Sequence, residues 1–103
     1  MRIAHQIAQK IHGLTAPHSV RAQDIIDLQL IISRENVDYP ELSRICQRLF
    51  ANRKTHPWPP EVHASESMRL SYEIGTEELA NLLPYDEAIA WANDLIARID
   101  AAK

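Results

Sequence analysis

Apolar residues recur at intervals of three and four along most of this chain, and only two glycines interrupt the pattern. That interval is the repeat of one face of an α-helix. The tight turns of a β-sandwich would require more glycine than this chain has. With 103 residues the chain fits one domain, spanning 1–103. The sequence therefore predicts an all-α fold, a compact bundle of about five helices.

The first part of the chain predicts two helices separated by a short break. The first spans 2–13, where one helical stripe is formed by Ile3, Ile7 and Ile11. We expect Gly13 to end it in the left-handed conformation. The second helix spans 20–33, with Ser19 as its N-cap. Apolar residues cover most of its circumference, which predicts that it is the buried centre of the domain: Ile25, Ile26, Leu28, Leu30, Ile31 and Ile32.

A third helix and a connector follow. The helix is predicted over 39–54, because Asp38 can cap it and Pro40 suits its first turn. The proline-rich stretch 56–60 cannot be helical and should run extended. It matches the P-x-x-P pattern that some recognition grooves bind. A tryptophan between prolines in a compact domain more often covers the core, and we expect this of Trp58.

The remaining chain predicts two more helices. Apolar residues alternate over 68–74 in a way that fits a strand or a helix, and a helix is favoured because the chain offers no second strand to pair with. Gly75 is a candidate break, after which the stripe continues through Leu79, Leu82 and Leu83. The last helix begins at Pro84, with two acidic residues in its first turn. The second helix is predicted to be packed by Ile7, Ile11, Ile45, Leu49, Leu95 and Ile99.

Composition narrows the function classes. The net charge of -3 argues against nucleic acid as a ligand of the chain alone. No apolar run, 30–32 included, approaches the length of a membrane span, and no signal segment opens the chain, so a cytoplasmic location without membrane association is expected. Cys46 is the only cysteine, which excludes an internal disulfide. It is expected to be a small buried hydrophobe rather than a nucleophile.

The five histidines do not have the spacing of metal ligands. His5 and His12 are seven positions apart, about 10.5 Å along a helix, which is too far for one ion. His56 and His63 flank the proline run without an H-E-x-x-H pattern. We therefore expect surface or loop histidines and predict no metal site.

A polar group on the first two helices is the strongest candidate site. Arg21, Asp24 and Asp27 follow one another at steps of three and so share a helix face. If the two helices are antiparallel neighbours, Lys10 should lie on the same solvent-accessible face. Such a group could orient a nucleotide phosphate, or it could simply solvate a helix pair.

The runs that carry these residues resemble a known family. The segment IAQKIHGL at 7–14, followed by RAQDIIDL at 21–28, is similar to the paired late motifs of AbiEii-type nucleotidyltransferases, which read approximately A-x-K-L-H-A-L and R-x-K-D-L-Y-D-L. Many members of that family are toxins of toxin–antitoxin systems. The resemblance implies that Lys10 and Asp24 assist catalysis, and that Arg21 and Asp27 contribute to nucleotide binding. Gln23 stands where the family usually has lysine.

The family's upstream catalytic core has no counterpart in this chain. Its Gly-Gly-Ser/Thr turn and D-x-D carboxylates are missing. The resemblance therefore implies a C-terminal helical part, or a remnant, that forms one wall of a nucleotide site. We expect the chain alone to be inactive and without a cofactor, and to need an upstream core with Mg²⁺ and a nucleoside triphosphate. The upstream catalytic core or an antitoxin protein would be the partner of this chain.

A second interpretation belongs to a different class. The chain could be a small protein-interaction module without catalytic activity, which contacts its partner through Trp58 or Trp91 if either is exposed.

Overall fold

The computed structural model describes residues 2–103, which contain five helices. They are α1 (Ile3–Thr15), α2 (Ala22–Arg34), α3 (Tyr39–Arg53), α4 (Glu66–Thr76) and α5 (Tyr85–Ala101). No strand occurs in 2–103. The radius of gyration is 13.0 Å, close to the roughly 13 Å of a compact domain of this size. The predicted all-α bundle of five helices is confirmed.

The caps of α3 and α4 show why those helices begin where they do. The Asp38 carboxylate accepts a hydrogen bond from the Glu41 amide at 3.1 Å, and the Ser65 hydroxyl accepts one from the Met68 amide at the same distance. Each bond satisfies an amide that has no partner inside the helix. Lys54 ends α3 in the left-handed conformation, with φ of 56°. The predicted cap and bounds of α3 are thus confirmed to within one residue.

Gly13 does not end α1, contrary to the prediction. The helix continues to Thr15, and Gly13 does not have a positive φ. A Cβ atom at Gly13 would lie 3.1 Å from Asp24 Oδ2 and 3.2 Å from Arg21 Nη1. The glycine therefore makes room for side chains of α2 rather than for a turn.

Ser19 does not cap α2 either. Its hydroxyl donates to the Gly13 carbonyl at 2.9 Å and accepts from the Arg21 amide at 3.3 Å, so it bridges the break between the two helices. The helix starts at Ala22, two residues later than predicted, and its N-cap Arg21 makes no side-chain capping bond.

The core lies where α2 meets its neighbours. This helix packs against α1, α4 and α5, whereas α3 packs against α1 and α5 and makes no contact with α2. The α2 side chains that are fully buried are Ile25, Ile26 and Leu28, and the next three apolar residues are partly buried. The predicted packing of Ile45 and Leu49 on α2 is therefore wrong, because both belong to α3. The other predicted neighbours are buried: Ile7, Ile11, Leu95 and Ile99.

The segment between α4 and α5 is not helical, so the predicted stripe through Leu79, Leu82 and Leu83 does not exist. A closed set of hydrogen bonds holds this segment. The Gln29 side-chain amide donates to the Tyr72 hydroxyl at 2.8 Å, that hydroxyl donates to the Leu83 carbonyl at 2.6 Å, and the Leu83 amide donates to Gln29 Oε1 at 3.0 Å. These bonds satisfy the Leu83 backbone without a helix.

Gly75 lies inside the last turn of α4 and does not divide it. A Cβ atom there would lie 2.9 Å from Cδ1 of Ile26, which is almost fully buried. Glycine at this position lets α4 approach α2 closely.

The connector between α3 and α4 is anchored on α5. Trp58 packs on Phe50 with ring centroids 5.3 Å apart, and its indole N–H donates to Asp100 at 3.2 Å. The amide and carbonyl of buried Val62 bond to the side chain of Asn93, at 2.8 and 3.1 Å. The expectation that Trp58 folds back over the core is confirmed. Trp91 is also partly buried against the core, so neither tryptophan offers the exposed contact that the interaction hypothesis required.

Candidate functional site

The four predicted site residues meet between α1 and α2. Lys10 Nζ lies 2.8 Å from Asp27 Oδ2 and 3.8 Å from Asp24 Oδ1. Arg21 Nε lies 2.9 Å from Asp24 Oδ2 and forms an ion pair with it. We call Lys10, Arg21, Asp24 and Asp27 the α1–α2 polar cluster.

The two carboxylates of this cluster have different environments. Asp24 is 4% exposed, so the expectation that it lies on a solvent-accessible face is wrong. Burial raises its pKa, and the attraction of Arg21 and Lys10 offsets only part of that effect. Burial also acts on Asp27, but hydrogen bonds from Lys10 and Gln23 outweigh it and hold the pKa of Asp27 below its usual value. Asp27 is thus the better stabilised anion.

The cluster is balanced in charge. Two cations face two carboxylates, and an incoming phosphate would have to compete with these carboxylates for Lys10 and Arg21. The pairs join α1 to α2, and Gly13 leaves the space that the Arg21–Asp24 pair fills. In this arrangement the cluster holds α1 and α2 against each other.

A second polar group contains two histidines that the sequence analysis placed on the surface or in loops. His12 is buried at 9% exposure, and its ring lies 4.9 Å from those of Phe50 and His56, measured between centroids. His56 Nε2 shares a hydrogen bond of 2.7 Å with the Thr15 hydroxyl. His12 Nε2 and His56 Nδ1 are buried without a hydrogen-bond partner. No spacing rule revealed this pair, because the residues come from α1 and the connector.

Both histidines favour the neutral form. Burial lowers the pKa of each, and for His12 the nearby His56 and Arg53 lower it further. Within 2–103, no group of three or more histidine, cysteine or acidic residues could hold a metal ion. Cys46 is fully buried, and burial raises the pKa of its thiol to about 12, so the thiolate is strongly disfavoured.

One face of α4 exposes large apolar side chains. Leu70 and Ile74 are 55% and 72% exposed, and Leu79 in the following turn is 49% exposed. Glu73 lies beside them on the helix, and Glu77 is the C-cap residue of α4. We call Leu70, Glu73, Ile74 and Glu77 the α4 face. The apolar pattern predicts the helix but not the exposure of Leu70 and Ile74, for which the acidic residues at the same spacing are the signal.

A shallow groove runs between α1 and α3. Its volume is about 170 Å³, and the partly buried Ile45 and Leu49 line its floor. Arg48 lies at its rim, and Arg44 lines the adjoining depression together with Ile45. Both arginines are exposed, and neither has a carboxylate within ion-pair distance among the described residues. We call this the α1–α3 groove.

Comparison with known proteins identifies no family, since neither a family model nor a curated protein matches the chain. Among residues 2–103, no helix has the length and apolar character needed to cross a lipid bilayer. The geometry of the sites is therefore the basis for any functional conclusion.

Proposed function

We propose that this chain is a small protein-interaction domain that binds its partner through the α4 face. The observation that carries the proposal is the exposure of Leu70 and Ile74, one helical turn apart on the same side of α4. Exposed apolar side chains grouped on one face and bordered by charge are typical of protein contact sites.

The charges beside the apolar pair define the chemistry of the partner. Residues 66–79 contain four acidic residues and one basic residue, Arg69. The Arg69 guanidinium already pairs with Asp86 at 3.0 Å. Glu77 and Glu78 form no ion pair within the described part of the chain. The α4 face therefore suits a partner surface that is apolar at its centre and basic at its edge.

A synthetic amphipathic helix with leucines four residues apart, flanked by arginines, is a suitable probe. We expect the chain to bind it and the double variant Leu70→Ser, Ile74→Ser to bind at least about tenfold more weakly, measured by fluorescence anisotropy. Val20→Ser is the matched control, because Val20 is similarly exposed at 52% but lies outside α4. Equal binding by the double variant and the control would refute the proposal.

The α1–α2 polar cluster favours a second candidate function. We propose that it forms one wall of a nucleotide site that a nucleotidyltransferase-like core completes. The support is the convergence of Lys10, Arg21, Asp24 and Asp27, the four residues that the motif resemblance implicates. The described residues offer no group of metal ligands, so carboxylates for Mg²⁺ would have to come from that core. This function ranks second because both cations of the cluster are already neutralised.

Titration with ATP and Mg²⁺, followed by NMR, tests the second candidate. We expect the amide resonances of residues around Lys10 and Asp24 to shift, and Lys10→Ala to remove the effect. Lys103→Ala is the control, because Lys103 pairs with Asp100 on α5 instead. Identical spectra with and without the nucleotide at millimolar concentration would contradict this function.

A further inference from the structure

We propose that the partner of the α4 face is a second copy of this chain, which receives that face in its α1–α3 groove. The inference rests on the proposed function and names its partner. It is carried by the match between the two surfaces in spacing, polarity and charge.

Apolar and charged residues have the same spacing on α3 as on α4. In α3 the apolar pair Ile45 and Leu49 is four residues apart, as is the basic pair Arg44 and Arg48. The apolar pair Leu70 and Ile74 of α4 has the same separation, as has the acidic pair formed by Glu73 and the C-cap residue Glu77. Four residues span about 6 Å of helix. Both helices thus present an apolar row beside a charged row with the same repeat.

The signs of the two charged rows are opposite. Residues 39–54 carry four basic residues against one acidic residue, and residues 66–79 carry four acidic residues against one basic residue. The one acidic residue of the first segment, Glu41, is already paired with Arg2. Arg44 and Arg48 are therefore available to Glu77 of another copy and to its Glu73, whose own pair with Arg69 is a loose one at 4.0 Å. Charge pairs of this kind set the register of an interface.

The contact must form between molecules. Within one chain no Cα atom of α3 lies within 8 Å of α4, so a molecule does not place its own α4 in its groove. Each copy carries one groove and one α4 face, so two copies can pair both surfaces reciprocally about a two-fold axis, or copies can join head to tail in a heterologous contact. Such a contact produces a ring if the rotation closes and a longer assembly if it does not.

Sedimentation velocity of the full chain, from micromolar to millimolar concentration, measures the association. We expect the weight-average mass to rise with concentration and the association to weaken in high salt, because the charge pairs lie at the edge of the contact. Reversing the groove charges by Arg44→Glu with Arg48→Glu should weaken association at least about tenfold, as should Glu73→Arg with Glu77→Arg.

Complementation makes the test specific for this pair of surfaces. A mixture of the two charge-reversed variants should associate again, because the reversed α4 face of one fits the reversed groove of the other. The chain with all four substitutions should self-associate for the same reason. Arg34→Glu and Glu61→Arg are matched controls on exposed residues outside both surfaces. Circular dichroism checks that each variant keeps its helix content.

Two outcomes would overturn the inference. One is a monomer at every concentration, and the other is association that the charge reversals leave unchanged. If the chain remains monomeric while the basic helical probe still binds the α4 face, the self-association fails and the proposed function stands. If the probe also fails to bind, both fail.

Discussion

The imidazole rings of His12 and His56 lie 4.9 Å apart between centroids, and each has a buried nitrogen without a hydrogen-bond partner. One ring comes from α1 and the other from the connector, so their contact joins two separate parts of the chain. Phe50 packs against both rings, at 4.9 and 5.0 Å. Protonation of either ring would place a positive charge in this apolar cluster beside the other histidine.

We therefore predict that stability falls as the pH drops below about 6.5. The folded-state pKa of each histidine lies below its ordinary value of 6.5, so the unfolded chain takes up protons first and is favoured by acid. The measurement is the free energy of unfolding in urea, compared between neutral pH and pH about 5.

His12→Phe should flatten this dependence. Its Nε2 has no hydrogen-bond partner to lose, and phenylalanine suits the ring cluster. His63→Gln, at an exposed histidine, is the control. An unchanged pH dependence in His12→Phe would show that this residue does not cause it.

The two carboxylates of the α1–α2 polar cluster should respond oppositely to neutralisation. Asp27→Asn should lower the free energy of unfolding at neutral pH by about 1 kcal/mol, because it weakens the charged hydrogen bond with Lys10. Asp24→Asn should leave that free energy unchanged or raise it, because burial disfavours the Asp24 anion and the exposed Arg21 side chain remains solvated without it.

The direction in which stability changes with pH provides a second test of these two carboxylates. Asp27, with its lowered pKa, contributes stability above pH 3.8 that is lost as the pH falls through its folded-state pKa. Asp24, with its raised pKa, has the opposite effect, so stability is lost as the pH rises from 3.8 through its folded-state pKa. A larger loss of stability in Asp24→Asn than in Asp27→Asn would contradict both arguments.

Tyr72→Phe should destabilise the domain by about 1 to 3 kcal/mol, although it removes a single oxygen atom. That oxygen accepts from Gln29 and donates to the Leu83 carbonyl, in a site where Tyr72 is 1% exposed. Chemical denaturation measures the loss. Tyr39→Phe is the control on a partly buried tyrosine, and a loss no larger than that of the control would show that Gln29 finds another partner.

Leu28→Ala should lower the free energy of unfolding by about 2 to 5 kcal/mol, the usual effect of a cavity in a packed core. Leu28 is 1% exposed on α2, as the sequence predicted. Leu70→Ala on exposed α4 is the matched control, and urea denaturation of both variants gives the comparison. Similar losses in the two variants would mean that Leu28 does not lie in a packed core.

The sequence predicted the helices whose ends carry local signals. The start of α3 was predicted from Asp38 and Pro40, and the start of α5 from Pro84. These signals are local because a cap and a proline act on neighbouring backbone groups. The convergence of Lys10 with Asp24 and Asp27 also followed from helix spacing and one short connection. These features depend on residues close in the chain or on a single helix pair.

Tertiary structure alone decided the roles that depend on distant residues. Gly13 and Gly75 allow close contact with α2 instead of ending or dividing a helix, because the side chains that need the space belong to another element. The burial of His12 and of Asp24 likewise depends on which helix faces meet. The acidic residues spaced with Ile74 indicate an exposed face, but only the packing shows that no neighbour covers this side chain. Local signals determine which segments are helical, whereas packing between distant segments determines which side chains remain available for function.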